Sequence, residues 1–144
     1  MKRLLLLGGG HAHLQVLRAF ARQALPGAEV TLVTPWPRLT YSGMLPGHVA
    51  GHYTLAQCTV PLAPMAERAG ARLLQAAASA IDPAARQVTL ADGRTLAYDV
   101  LSLDTGATID RAAIPGAREH GLFVRPIEAF ASLWERMREL AEAR

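Results

Sequence analysis

With 144 residues and a mass of 15.4 kDa, the chain is one domain's worth of sequence, which excludes a tandem multidomain enzyme; it is still long enough to bury roughly two-thirds of its unfolded surface. Its 51% hydrophobic and 19% charged residues exclude a disordered chain, which cannot offset ordering entropy by burial. The formal charge is +3, and 14 of the 15 basic residues are arginines scattered from Arg3 to Arg144, so no basic patch points to nucleic acid.

Cys58 is the single cysteine; it closes no intrachain disulfide and lacks the neighbour that a redox or zinc pair needs. The chain reads as cytoplasmic. At the N-terminus, Met1-Lys2-Arg3 precedes an apolar run that stops at Gly8, far short of the roughly 7–15 residues of a signal core or the roughly 20 of a membrane span. Neither a targeting nor a transmembrane segment is expected.

Leu4 to Leu7 is too short for a helix and suits a strand buried on both faces, as in the centre of a parallel sheet. After Gly8-Gly9-Gly10, residues 11–23 place Leu14, Leu17 and Phe20 at helical spacing, with Arg18 and Arg22 opposite. Glu29 to Thr34 supplies β-branched residues for a second strand, which Pro35-Trp36-Pro37 ends. Residues 3–34 thus spell a βαβ unit, whose crossover should be right-handed.

Residues 35–60 show no sustained period and read as a long, functional loop. A helix is expected over 62–69, a weak strand over 71–75, and a hairpin of Gln87 to Leu90 with Thr95 to Ala97 around Asp92-Gly93. Val100 to Leu103 should be a further parallel strand ending in the turn Asp104-Thr105-Gly106. From Ile127 to Arg144, Phe130, Leu133, Trp134, Met137 and Leu140 share one face of an amphipathic helix, expected to be core or to cover a partner.

Gly8-Gly9-Gly10-His11-Ala12-His13 follows a buried strand and opens a helix, the setting of a dinucleotide site. Gly8 permits the tight turn, and Gly10 lets backbone approach a pyrophosphate met by the free N–H groups and dipole of the helix start. His13 stands where a third small residue normally lets helix and strand pack closely, so either the helix is displaced or the imidazole points outward. An acid for ribose hydroxyls is expected about 20 residues on. Glu29 has that count but begins its strand, and Thr34 or Pro35 holds the position facing a ribose.

No metal site is expected. His11 with His13, and His48 with His52, lack a completing carboxylate or cysteine, and Gly47 and Gly51 interrupt any helix aligning the second pair. His11 fits either a place near phosphates or the solvent face of its helix, and Cys58 fits a buried small hydrophobe better than a nucleophile.

The segments Leu6 to His13, Tyr41 to Gly47, the turn at Asp92-Gly93, Tyr98 to Gly106 and Ile114 to Ala117 come in one order. With them the chain resembles the N-terminal portion of pyridine-nucleotide-disulfide-type flavoproteins, near type II NADH dehydrogenases and sulfide:quinone reductases. Its His-Ala-His and Tyr-Ser-Gly-Met-Leu-Pro-Gly segments are similar to the branch found alone or fused to selenide, water dikinase.

The resemblance implies an α/β, Rossmann-like open parallel sheet with a small β-hairpin layer, residues 1–144 forming an FAD-binding domain. By it, Gly8, Gly10 and the backbone at His11 and Ala12 hold the FAD pyrophosphate, Thr34 and Pro35 border the adenosine ribose, and Ala78 contacts adenine. Thr105 and Gly106 turn back toward the flavin, and Tyr41 to Gly47 lie near its ring. Asp104 replaces the family's alanine.

In that family the last helix leads on into an NADH-binding domain, so the chain is expected to be a fragment that needs a longer parent for NAD(P)H oxidation. No catalytic acid, base or nucleophile is named, because the flavin does the chemistry. The alternatives are a non-catalytic nucleotide-binding module that homodimerises through the C-terminal helix, and a domain for NAD(P) rather than FAD.

Overall fold

In a computed structural model describing residues 1–143, the chain forms two compact units, each taken by itself below. The first comprises Met1–Leu39 and Pro61–Thr105, and the second Thr40–Val60 with the chain from Gly106 onward.

The leucine run lies in β1 (Lys2–Leu7), at the centre of the first unit's parallel sheet. β2 (Ala28–Thr34) pairs with one side of it and β9 (Val100–Leu103) with the other, and β5 (Arg72–Gln75) lies outside β2, giving the order β5-β2-β1-β9. All three pairings are parallel. Because the chain runs outward through β2 and β5 before crossing back to β9, the order reverses beside β1. That reversal makes the carboxyl ends of β1 and β9 a topological switch point, the place where open α/β sheets bind ligands.

Strand alternation sends side chains to two cores. Leu6, Val30 and Leu32 pack with Leu17 of α1 (His11–Arg22) and with Leu62 and Ala66 of α3 (Leu62–Arg68). On the other face, Leu5, Leu7 and Val33 pack with Val88, Leu90 and Tyr98. Val88 and Leu90 come from β7 (Gln87–Leu90), the middle strand of an antiparallel layer with β6 (Ala78–Asp82) and β8 (Thr95–Ala97). Each fully buried leucine contributes roughly 1.5–3 kcal/mol of transfer free energy, so these two faces hold the sheet. The expected α/β architecture with a hairpin layer is therefore present, and the hairpin gains β6 as a third strand.

The 35–60 segment is more ordered than its sequence suggests. It carries β3 (Arg38–Thr40), a 3-10 turn at Ser42–Met44, α2 (Leu45–Val49), a second 3-10 turn at Ala56–Cys58 and β4 (Thr59–Pro61). α2 runs through Gly47, correcting the expectation that this glycine interrupts a helix, and the break falls at Gly51, whose φ is +80°. In the second unit Leu45 packs with Phe130 and Ala131 of α5 (Ile127–Glu142), while a short α4 spans Ala117–His120. The apolar stripe of α5 is only half core: Leu133, Met137 and Leu140 are 39%, 44% and 67% exposed.

Candidate functional site

Strand register lines up the site. Leu7 lies opposite both Val33 and Leu103, so the residues that follow, Gly8, Thr34 and Asp104, form one row at the carboxyl edge of the sheet. Main-chain bonds fix that row: Gly8 N–H donates to Val33 O at 2.7 Å and Asp104 N–H to Leu7 O at 2.8 Å.

The glycine turn needs its glycines for reasons visible in the packing. Gly8 has φ +98°, a left-handed conformation that side chains disfavour, and a Cβ there would overlap the Asp104 carbonyl. At Gly9 a Cβ would stand 2.6 Å from Leu62 Cδ1, and at Gly10 it would overlap the Asp104 carboxylate. Gly10 is expected from its sequence to let a ligand approach the backbone; in this chain the Asp104 side chain itself fills that room.

Asp104 binds the turn from three atoms. Its carbonyl accepts from Gly10 N–H at 3.2 Å, its Oδ2 accepts from His13 N–H at 2.9 Å, and its Oδ1 lies against Gly10. His13 is the third residue of α1, so the carboxylate caps one of the helix's unpaired N–H groups and meets the positive end of its dipole. Such a contact contributes on the order of 1 kcal/mol. Gly10, at the N-cap, has no side chain to cap α1 itself.

Of the two expectations for His13, the outward imidazole is corrected. Its imidazole does not point outward: it is 1% exposed, with Nδ1 2.6 Å from Gly8 O and Nε2 2.9 Å from Ser102 Oγ. A carbonyl can only accept, so Nδ1 carries the ring proton; the remaining nitrogen of a neutral ring then accepts from the Ser102 hydroxyl. Both polar atoms are paired inside the fold, which is why an imidazole is tolerated where a small residue is usual. Ser102, 89 positions away, is a site residue that no local pattern announces.

His11 and Ala12 are exposed in the first turn of α1. Thr34 is buried, and its Oγ1 accepts from Trp36 N–H at 3.3 Å, whereas Pro35 is exposed and its carbonyl accepts from Gln75 Nε2 at 3.4 Å. Ala78 is exposed at the start of β6, and Thr105 is exposed just beyond Asp104. Gly106 follows with φ +77°. Glu29 lies near the start of β2 opposite Arg3, at the end of the strands away from the glycine turn.

In the second unit, His48 is buried and His52 exposed. His48 Nδ1 is 2.9 Å from Tyr53 O, and Nε2 is 3.1 Å from Glu135 Oε1, outside hydrogen-bond angles. Cys58 is 1% exposed, a small buried hydrophobe as expected, with Sγ 3.9 Å from Met44 O. Tyr41 to Gly47 lie in this unit.

The site is therefore a strand, a glycine turn and a helix start at a topological switch point, the architecture of a dinucleotide-binding Rossmann unit. A family profile described as "Pyridine nucleotide-disulphide oxidoreductase" matches residues 2–139. The chain belongs to this family.

It is 28% identical over 145 residues to an NADH dehydrogenase-like protein of Mycobacterium tuberculosis, covering 98% of this chain and 36% of that protein. It is 25% identical over 139 residues to the sulfide-quinone reductase of Aquifex aeolicus, covering 96% and 32%. Among solved structures, the Aquifex aeolicus sulfide:quinone oxidoreductase superposes with a TM-score of 0.76 at 24% identity, covering 99% of this chain and 33% of that one. NDH2 of Plasmodium falciparum in complex with NADH gives 0.77 at 18%, covering 99% and 30%. The chain thus spans about a third of the length of these relatives. No helix among the described residues is long and apolar enough to cross a membrane.

Proposed function

We propose that the chain is the FAD-binding domain, residues 1–144, of a flavin-dependent NAD(P)H oxidoreductase. The observation that carries this reading is the Gly8 to Gly10 turn leading from β1 into α1 at the switch point, in a chain of this family. The donor set suits a diphosphate: backbone N–H groups at a helix start, with His11 and Ala12 exposed.

In this assignment Gly8, Gly10 and the backbone at His11 and Ala12 hold the diphosphate of FAD. Thr34, buried and already accepting from Trp36, shapes the floor beneath the ribose, and exposed Pro35 borders it. Ala78 meets adenine, and Thr105 with Gly106 turns toward the flavin. When bound, FAD supplies the redox chemistry, while the protein binds, orients and shields it.

Turnover with NAD(P)H requires the nicotinamide and flavin rings to be held in contact. The chain is therefore assigned cofactor binding, with reduction by NAD(P)H reserved for a form that includes a nicotinamide site. Its lone cysteine fits a reducing, cytoplasmic setting.

The test is the absorbance of the purified chain after incubation with FAD and desalting. Flavin bands near ~450 nm that remain with the protein support the assignment. A colourless protein overturns it for this chain. The exposed Leu133, Met137 and Leu140 favour a second reading, a non-catalytic nucleotide-binding or interaction module that homodimerises through α5. A colourless protein that sediments as a dimer supports that reading instead.

A further inference from the structure

We infer that Asp104 limits the affinity of the glycine turn for a diphosphate, acting as an internal carboxylate that occupies part of the anion site. The inference rests on the FAD reading above and concerns how strongly that site binds.

Three observations carry it. Oδ2 of Asp104 takes the His13 N–H at 2.9 Å, and that group belongs to the first turn of α1, where a ligand diphosphate finds its positive field. Oδ1 lies in the space that a Cβ would fill at Gly10, so the carboxylate stands against the residue expected to be approached by the ligand. The backbone on either side is pinned by Asp104 N–H to Leu7 O and Gly10 N–H to Asp104 O, at 2.8 and 3.2 Å. The main chain that carries the carboxylate is thus fixed by the sheet, and the His13 N–H bond orients the side chain.

Two consequences of opposite sign follow. Without ligand, the carboxylate orders the turn and caps the helix. When a diphosphate approaches, its negative charge meets a fixed carboxylate a few ångströms away, in surroundings less polarisable than water, where like charges repel strongly. The N–H of His13 is also already engaged. Asp104 is a positioning and affinity-setting residue, and its removal should tighten binding at some expense of stability.

The discriminating variant is Asp104→Asn, whose amide oxygen still accepts from His13 N–H while the charge is gone. FAD and ADP affinities are measured by fluorescence quenching and by calorimetry, with adenosine as a probe lacking the diphosphate. Asp104→Asn is expected to bind FAD and ADP about ten-fold more tightly, with adenosine unchanged and the melting temperature equal or lower. Asp104→Ala should show the same direction of change and a lower melting temperature.

A purely structural role for Asp104 would leave both affinities unchanged or weaken them, and that result overturns the inference. A gain shared equally by adenosine overturns it too, since the effect would not lie at the diphosphate. Failure of both the native chain and Asp104→Asn to take up FAD at millimolar concentration overturns the FAD reading, and the inference with it.

Discussion

His13 and Gly8 are joined across the glycine turn by a bond from the imidazole Nδ1 to the Gly8 carbonyl oxygen, 2.6 Å long. The same ring accepts from Ser102, so one buried side chain ties the end of β1, the start of α1 and the adjacent strand β9 together. Helix and sheet meet through a hydrogen-bonded bridge at the position where close glycine packing would otherwise serve.

Replacing His13 by alanine opens a cavity and leaves the bridge unmade. A loss of roughly 3 kcal/mol is expected, from cavity and unpaired polar groups together, read as a lowered urea midpoint. Ser102→Ala should cost roughly 1–2 kcal/mol, and the double variant should fall short of the sum, because the two share one bond. Strict additivity would show that the bridge does not act as a unit.

Gly8 and Gly27 both have positive φ, +98° and +72°, but only Gly8 is crowded. Gly27→Ala therefore carries backbone strain alone, roughly 1–2 kcal/mol. Gly8→Ala adds the overlap with the Asp104 carbonyl and should unfold the turn, abolishing FAD uptake and lowering the thermal midpoint well beyond the Gly27 variant. Equal midpoints for the two would refute the packing argument.

Asp99 carries a pH signature. The Arg3 guanidinium hydrogen-bonds its carboxyl and, with the Arg3 N–H at 2.7 Å, holds it at about 2 against an ordinary 3.8. A depressed folded-state value means that the ionised pair supports the fold above about pH 4 and loses that support as pH falls toward 2. Asp99→Asn should melt below the native chain at pH 7 and converge with it near pH 2. The exposed setting keeps the effect small. A melting difference that persists unchanged at pH 2 would contradict it.

In the second unit, His48 presents one ring nitrogen to the Tyr53 carbonyl and the other to Glu135. His48→Ala removes the link between the 41–60 segment and α5 and leaves the Glu135 carboxylate paired with Arg138 alone. Limited proteolysis should then cut within residues 41–60 faster than in the native chain, while the parallel sheet stays protected. An unaltered digestion pattern would show that Leu45 and Phe130 suffice to hold the segment.

What the sequence revealed tracks where physical signals are local. The strands of β1, β2 and β9 are short apolar runs bounded by glycine or proline, and the hairpin Gln87 to Leu90 with Thr95 to Ala97 is punctuated by Asp92-Gly93, so all were legible. β6 was not: Ala-Ser-Ala-Ile-Asp is exposed along its whole length and has no period to read. β3 and β4 are three residues each, and α2 contains Pro46 and Gly47, so propensity argued against structure that tertiary contacts impose. At the site, the glycine turn was visible, as was the departure at Asp104. That His13 turns inward was not, because its partner Ser102 lies 89 positions away in the sequence. Nor could the sequence tell that Asp104, and not a ligand, fills the room beside Gly10.

We propose that the turn from Gly8 to Ala12 is where this chain holds a dinucleotide diphosphate. Amide chemical shifts of the isotopically labelled chain, followed during titration with FAD, test it residue by residue. The largest changes are expected at Gly8, Gly10, His11, Ala12 and Thr105, with saturation. Changes centred elsewhere, or none at millimolar FAD, would contradict it.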